Sequence, residues 1–215
     1  MIFTGPPLGL EGVKDPWILE EDGVFHLGLS LATPTPRTSA DSHASLDIFN
    51  TGECKSATGL ATSPDLVHWD WQGVILAPGE AGWDRYCRRM NSIVPVTGGL
   101  ADAFRASGVD PVPRYVGFYD GSAGHHENYE EKCALAVTDD LRSWRSISPA
   151  GPAFTSPHSS RSLRYLDAQL ADGRWHLFYE FARPDGAHDL RLSICTPEEL
   201  AATILRVQKE SGAAS

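Results

Sequence analysis

The sequence is short of the features that usually classify a chain. It holds 4 cysteines in 215 residues, and none of Cys54, Cys87, Cys133 and Cys195 stands in Cys-x-x-Cys spacing. That absence argues against a zinc ribbon or finger; the four read as reduced thiols of a cytoplasmic protein. No apolar run approaches the roughly 18 residues a membrane-spanning helix needs. Met1-Ile2-Phe3-Thr4-Gly5-Pro6-Pro7 has neither the basic start nor the apolar core of a secretory signal. Cations are scarce, 18 Lys and Arg against 28 Asp and Glu, for a net charge of −10. Nucleic acid demands the opposite balance, so neither nucleic acid nor membrane is an expected partner. The acidity serves solubility or lines a carboxylate-rich pocket. No cofactor and no metal are expected; the adjacent His125 and His126 read as a metal pair or as a solvent-exposed loop.

What the sequence has is repetition. Asp22-Gly23-Val24-Phe25-His26-Leu27 returns as Asp172-Gly173-Arg174-Trp175-His176-Leu177, and the extension Phe178-Tyr179-Glu180 matches Phe118-Tyr119-Asp120. Gly59 to Trp69, ending Ser63-Pro64-Asp65-Leu66-Val67-His68-Trp69, returns 75 residues later as Ala134 to Trp144, ending Thr138-Asp139-Asp140-Leu141-Arg142-Ser143-Trp144. A fixed period with strand-like, aromatic contents marks a radial or solenoid array, and it fits propeller blades, each one small sheet. Asp-Gly between apolar runs is a hairpin signal, which joins the first strand of a unit to its second. Third strands fall at 58–62, 133–138 and 190–194. Ser63 to Leu66 and Thr138 to Leu141 are turns whose side chains cap local N–H groups. Trp69 and Trp144 open the outer strands and read as packing residues. Thr196-Pro197-Glu198-Glu199 is a capping box with proline at the first helical position, so the only substantial helix is expected near 197–210. The opening Ile2-Phe3-Thr4-Gly5-Pro6 is similar to the last strand of a unit.

In a four-stranded meander the start of strand one, the end of strand two and the start of strand three share one sheet edge. Aligned first strands make Asp15, Asn91 and Tyr165 equivalent. The second strands end at Ser30, Asp120 and Glu180, and third strands follow Glu130-Glu131 and His188-Asp189. Opposed carboxylates are what glycosidic bond cleavage requires, one donating a proton and the other attacking or activating water. Trp17, Tyr119, Tyr165 and Tyr179 supply an apolar wall. Structural roles compete at each position: Asp15 as a turn cap before Pro16, Glu180 paired with Arg183, Asp120 as a turn residue before Gly121, Glu130-Glu131 solvated, Arg164 paired internally. His188 beside Asp189 reads as an oriented acid/base pair or as surface.

Lys14-Asp15-Pro16-Trp17-Ile18 with Asp22-Gly23 resembles the first strand of five-bladed β-propeller glycosidases, the furanosidase-like enzymes of families 43, 32 and 62 and the related mannoside phosphorylases. The Ser-x-Asp-Leu-x-x-Trp segment resembles their recurring blade motif. The resemblance implies an all-β fold of antiparallel four-stranded blades over residues 1–195, in about three repeats, followed by a C-terminal helix and tail over 196–215. It implies Asp15 as base or nucleophile and a later glutamate, Glu130, Glu131 or Glu180, as the acid. Trp17, Asn91, Asp120, Arg164, Tyr165, Asp167 and His188 are the expected substrate-binding residues, and a carbohydrate is the expected ligand. The sequence departs from the pattern at Asn91, where a third carboxylate is common, and in having about three blades of five; preceding residues of a longer chain, or a second chain in a homo-oligomer, would supply the rest. A non-catalytic carbohydrate-binding or interaction propeller, or a non-hydrolytic enzyme on the same fold, are the alternatives to a glycosidase.

Overall fold

The structure, a computed structural model, describes residues 2–39 and 48–212. Two compact units divide it: residues up to Met90 together with Gly121–Tyr129, and Asn91–Asp120 together with Glu130 onward.

The first unit contains β1 (Gly12–Glu21), β2 (Val24–Pro34), β3 (Cys54–Ser63) and β4 (Asp70–Leu76), an antiparallel meander in chain order. Asp22 and Gly23 turn the first hairpin with φ of 50° and 77°, the left-handed pair that a two-residue hairpin loop demands. The Gly23 N–H closes it on Glu20 Oε1 at 2.8 Å. Alternation along β2 and β3 sends Leu27, Leu29, Leu31, Ala57 and Ala61 to one face, where Phe3, Trp69 and Trp71 pack on them. On the other face the Trp17 indole covers Gly28, where a Cβ would sit 1.8 Å from the ring. Ile2–Pro6 forms no strand: Phe3 is committed to Trp71, ring centroids 5.8 Å apart, and Pro6–Leu8 is a 3₁₀ turn.

β5 (Cys87–Pro95) starts in the first unit, with Cys87 bridging Ser56 in parallel. The second unit holds the rest of β5, then α1 (Gly98–Ala106), β6 (Tyr115–Ser122), β7 (Lys132–Thr138) and β8 (Arg145–Ser146). β5, β6, β7 and β8 are again hydrogen-bonded in chain order. β9 (Leu163–Ala171), β10 (Arg174–Ala182) and β11 (His188–Cys195) form a third antiparallel meander, whose first residue bridges Lys132 in parallel. The Asp172-Gly173 hairpin repeats the geometry of the first, with φ of 50° and 72°. α2 (Pro197–Gly212) closes the unit. Its capping box is formed on both sides, Thr196 N–H to Glu199 Oε2 at 2.8 Å and Glu199 N–H to Thr196 Oγ1 at 3.2 Å. Leu200, Ile204 and Val207 bury against Phe104, Val116, Phe118 and Trp175 in one core.

α2 is thus not the only substantial helix. α1 lies inside the long 97–113 insert, and its two leading glycines, poor helix formers, obscured the spacing of Leu100, Ala101 and Phe104.

The repeated seven-residue motif has one geometry in both copies. Asp65 Oδ1 accepts the N–H groups of Val67 and His68 at 2.9 and 2.8 Å; Asp140 Oδ1 accepts those of Arg142 and Ser143 at 2.8 and 2.7 Å. The leucine between is forced left-handed, with φ of 65° at Leu66 and 61° at Leu141. The tryptophan closes the turn: Trp69 Nε1 and Trp144 Nε1 each donate at 3.1 Å to that leucine's carbonyl. So both tryptophans are turn clasps, and Trp69 also packs on the first unit's core.

Candidate functional site

In the first unit the β1–β2 register slips between Lys14 and Trp17. Pro16 cannot donate to the ladder, and the slip lets the chain pass it with Asp15 at φ 50°. The Asp15 carboxylate, half exposed, has Lys14 Nζ and Arg89 Nη1 each 3.9 Å from its Oδ2. Lys14 also lies over the Phe49 ring at 4.6 Å. Arg89, on β5, is buried; sequence reasoning did not select it, because nothing in the run Arg88-Arg89 separates it from its neighbour, which binds Asp84 at 2.8 and 2.9 Å. The Trp17 Nε1 and the hydroxyl of Ser30 are buried without a hydrogen-bond partner among the described residues.

In the second unit the β9–β10 register slips at the corresponding place, between Phe178 and Glu180. Tyr165, the equivalent of Asp15, has φ 54°. Its N–H is held by the fully buried Asp120 carboxylate at 3.2 and 3.3 Å. Beside it Arg164 joins two carboxylates: Nε donates to Glu180 Oε2 at 2.9 Å, and Nη1 lies 3.6 Å from Glu131 Oε2. The guanidinium also stacks over the Tyr165 ring at 4.8 Å. Burial pulls the Arg164 pKa down, but Tyr165, Glu180 and Glu131 outweigh it, and the net shift is upward. Glu131 is buried; Glu180 is about a third exposed. Glu130 takes a hydrogen bond from the Ser160 hydroxyl and faces His188 Nε2 at 3.3 Å. Burial, and then Asp120, push the Cys133 thiol well up.

Nine of the eleven expected residues fall into three groups. Asp15 and Trp17 stand in the first unit. Asp120, Glu131, Arg164, Tyr165 and Glu180 form one connected cluster in the second, and Glu130 with His188 a separate pair there. Asp167 is turned to Gln169 Nε2 at 3.0 Å. Asn91 has an Nδ2 without a hydrogen-bond partner among the described residues. Two pairings differ from those read in the sequence. Arg183 binds Asp185 and Asp189 at 2.9 and 3.3 Å and not Glu180, and His188 meets Glu130 and not its neighbour Asp189. His125 is exposed and sits edge-on to Tyr86, 6.4 Å between ring centroids; no group of three or more metal-ligating side chains occurs among the described residues. A cleft of about 390 Å³ in the second unit is lined by Phe104, Val109, Pro113, Asp139, Arg145 and Gln208 among others, and by none of the carboxylates above; the connected charges outrank it as a candidate site.

No family model and no curated protein sequence matches the chain. Solved structures do. The chain is similar to a family 117 glycoside hydrolase of the marine bacterium Zobellia galactanivorans, with TM-score 0.55 and 14% identity over 91% of this chain and 57% of that one. It is similar to sucrose-6-phosphate hydrolase from Lactobacillus gasseri, with TM-score 0.57 and 16% identity over 88% of this chain and 32% of that one. Fructan 1-exohydrolase IIa from Cichorium intybus matches with TM-score 0.53 and 20% identity, over 88% of this chain and 30% of that one. The first three matches are spanned to 55, 53 and 57% of their length. The fold is that of the β-propeller glycoside hydrolases. No helix among the described residues is long and apolar enough to cross a membrane.

Proposed function

We propose that this is a carbohydrate-active protein that hydrolyses a glycosidic bond with paired carboxylates. Asp15 serves as base or nucleophile. The proposed acid is Glu130, Glu131 or Glu180: Glu130 and Glu180 have solvent access, and buried Glu131 lies against Arg164. Arg164, Tyr165, Asp167 and His188, with Trp17, Asn91 and Asp120, make or support the substrate surface. In the reaction the acid protonates the leaving oxygen while Asp15 either attacks the anomeric carbon or deprotonates the attacking water.

The observation that carries the reading is the matched pair of backbone outliers. Asp15 and Tyr165 occupy the same place in two repeats, each left-handed beside a register slip. That conformation costs a non-glycine residue about 1–2 kcal/mol, and such strain concentrates at functional sites. The test is turnover of a panel of natural and aryl glycosides by the purified chain. Asp15→Asn should abolish release of sugar while the far-UV circular dichroism and Tm stay unchanged. Glu180→Gln, if Glu180 is the acid, should slow substrates with poor leaving groups far more than activated aryl glycosides, which need less proton donation; otherwise Glu130→Gln should show that pattern. Full activity in Asp15→Asn would end this mechanism.

One feature favours a second reading. Arg164 occupies both Glu131 and Glu180. A propeller so arranged suits carbohydrate binding without cleavage. Calorimetric binding of an oligosaccharide with no product formed would select it.

A further inference from the structure

Four serines crowd one short loop of the second unit: Ser156, Ser159, Ser160 and Ser162. Ser156 and Ser162 are fully buried and pin it. Ser156 Oγ donates to the Ala182 carbonyl at 2.6 Å, and Ser162 Oγ to the Glu131 carbonyl at 2.9 Å. Between them the backbone turns sharply. Arg161 N–H donates to the His158 carbonyl at 2.8 Å, and Ser156 N–H to the Arg161 carbonyl at 3.0 Å. Ser159 and Arg161 are both left-handed, with φ of 44° and 67°, an unfavourable conformation for residues with a Cβ. Strain of this kind gathers at active sites, and a serine nucleophile is typically lifted on a strained turn.

Ser160 stands between the two left-handed residues. Its hydroxyl donates to Glu130 Oε2, and its Oγ accepts the Ser162 N–H at 3.3 Å. His188 Nε2 lies 3.3 Å from the same Glu130 oxygen and has no hydrogen bond of its own among the described residues. Ser160 and Glu130 both reach solvent. A serine that only braces a loop needs any acceptor. This one has a carboxylate placed to take its proton and a third group beside that carboxylate. Nucleophile, base and orienting group within reach of one another are the signature of covalent catalysis.

We propose that Ser160 is an acyl-accepting nucleophile, with Glu130 as its base and His188 as the group that orients Glu130, and that the substrate is a carboxylic ester with a small acyl group. Glu130 takes the Ser160 proton as Oγ bonds to the acyl carbon and the carbonyl electron pair moves onto oxygen. Collapse expels the alkoxide, which takes that proton from Glu130 and leaves as an alcohol. Water then gives a proton to Glu130 and attacks the acyl-serine; collapse returns the proton to Oγ and releases the carboxylic acid. Ester and water become acid and alcohol, and nothing else is consumed. The Ser162 N–H, already directed at Oγ, stays on that oxygen as it loses its proton. The acyl group is small because Ser160 stands on an open loop; the clefts beside Phe104 and beside Val207 are lined by other residues. Glu130 is also a candidate acid for glycoside cleavage, but ester cleavage at Ser160 does not depend on that role.

The experiment uses the purified chain, a fluorophosphonate that labels activated serines, and p-nitrophenyl acetate. Intact mass should rise by a single label, and peptide mapping should place it on Ser160. The wild type should release p-nitrophenol. Ser160→Ala should lose both label and release, with circular dichroism unchanged. Glu130→Gln should slow release by about 10²-fold or more, the usual contribution of a general base, and His188→Gln by less. Ser160→Cys keeps a nucleophile of similar size; it should form an acetyl thioester, seen as a mass increase, and it covers the case in which Ser160→Ala misfolds. A wild type without label, label on Ser156, Ser159 or Ser162 in place of Ser160, or release unchanged in Ser160→Ala would each overturn the proposal. Neither readout involves a glycoside, so the glycosidase reading stands or falls separately.

Discussion

Arg164 holds two carboxylates in different surroundings, and they should respond differently to substitution. Glu131 is buried, so removing its cation leaves charge behind a poor solvent. Breaking a buried pair from one side costs roughly 3–5 kcal/mol, and Arg164→Leu should lower urea-unfolding stability by about the lower of these. Glu180 is about a third exposed, and exposed pairs contribute about 0–1 kcal/mol. Glu180→Gln should therefore be nearly neutral for stability whatever it does to turnover. Gly28→Ala tests the first unit. The new methyl would meet the Trp17 ring at 1.8 Å, and forced overpacking costs about 1–3 kcal/mol; a loss of near-ultraviolet dichroism should accompany it. At this scale the repeat made Asp15 and Tyr165 equivalent, and the shared φ shows why the alignment worked. Arg89 was not legible, because its distance to Asp15 is set by the pairing of β3 with β5 and has no trace in local spacing. The Arg164–Glu131 contact was invisible for the same reason, 33 positions apart in sequence.

The turn motif is the element where sequence and structure agree most closely, and its logic is local. The aspartate caps two N–H groups, the leucine takes the left-handed well and the indole N–H takes the leucine carbonyl. Hydrogen bonds from the Ser143 and Arg142 N–H groups lower the Asp140 carboxyl pKa from 3.8 to about 2. Because folding depresses this pKa, the stabilisation is complete above about 4, declines as pH falls and is gone below about 2. Asp140→Asn should be less stable than wild type at neutral pH, and the gap in Tm should shrink through that acid window. A gap independent of pH would show that the carboxylate's charge is not what holds the turn. The two leucines should part company. Leu66 is exposed, so Leu66→Gly relieves the left-handed cost of about 1–2 kcal/mol and should be neutral or stabilising. Leu141 is fully buried, and its loss to glycine should destabilise by about 2–5 kcal/mol, as for other large buried side chains. α1 marks the limit of legibility here: propensity argued against a helix, and burial of Leu100 and Phe104 against α2 overrides it.

The molecule is assembled less in chain order than the repeats imply. The second unit is built from Asn91–Asp120 and from Glu130 onward, with Gly121–Tyr129 belonging to the first. Internal similarity reveals the blades but not this division, which depends on which side chains share a core. α2 has its structural reason in that core. It follows the third blade where a fourth strand stood in the earlier two, and its stripe of Leu200, Ile204 and Val207 packs with α1 and β10 residues drawn from both segments. Ile204 is almost wholly buried, so Ile204→Ala should cost roughly 2–5 kcal/mol. Hydrogen exchange shows whether that loss is local. If α2 is integral to the unit, peptides from 91–120 and from 130–195 should lose slow-exchange protection together, although they are separate in sequence, because cooperative units open as wholes. Loss confined to 196–212, with Arg164, Glu131 and their strands still protected, would make the helix an appendage and leave the β-sheet core independent of it.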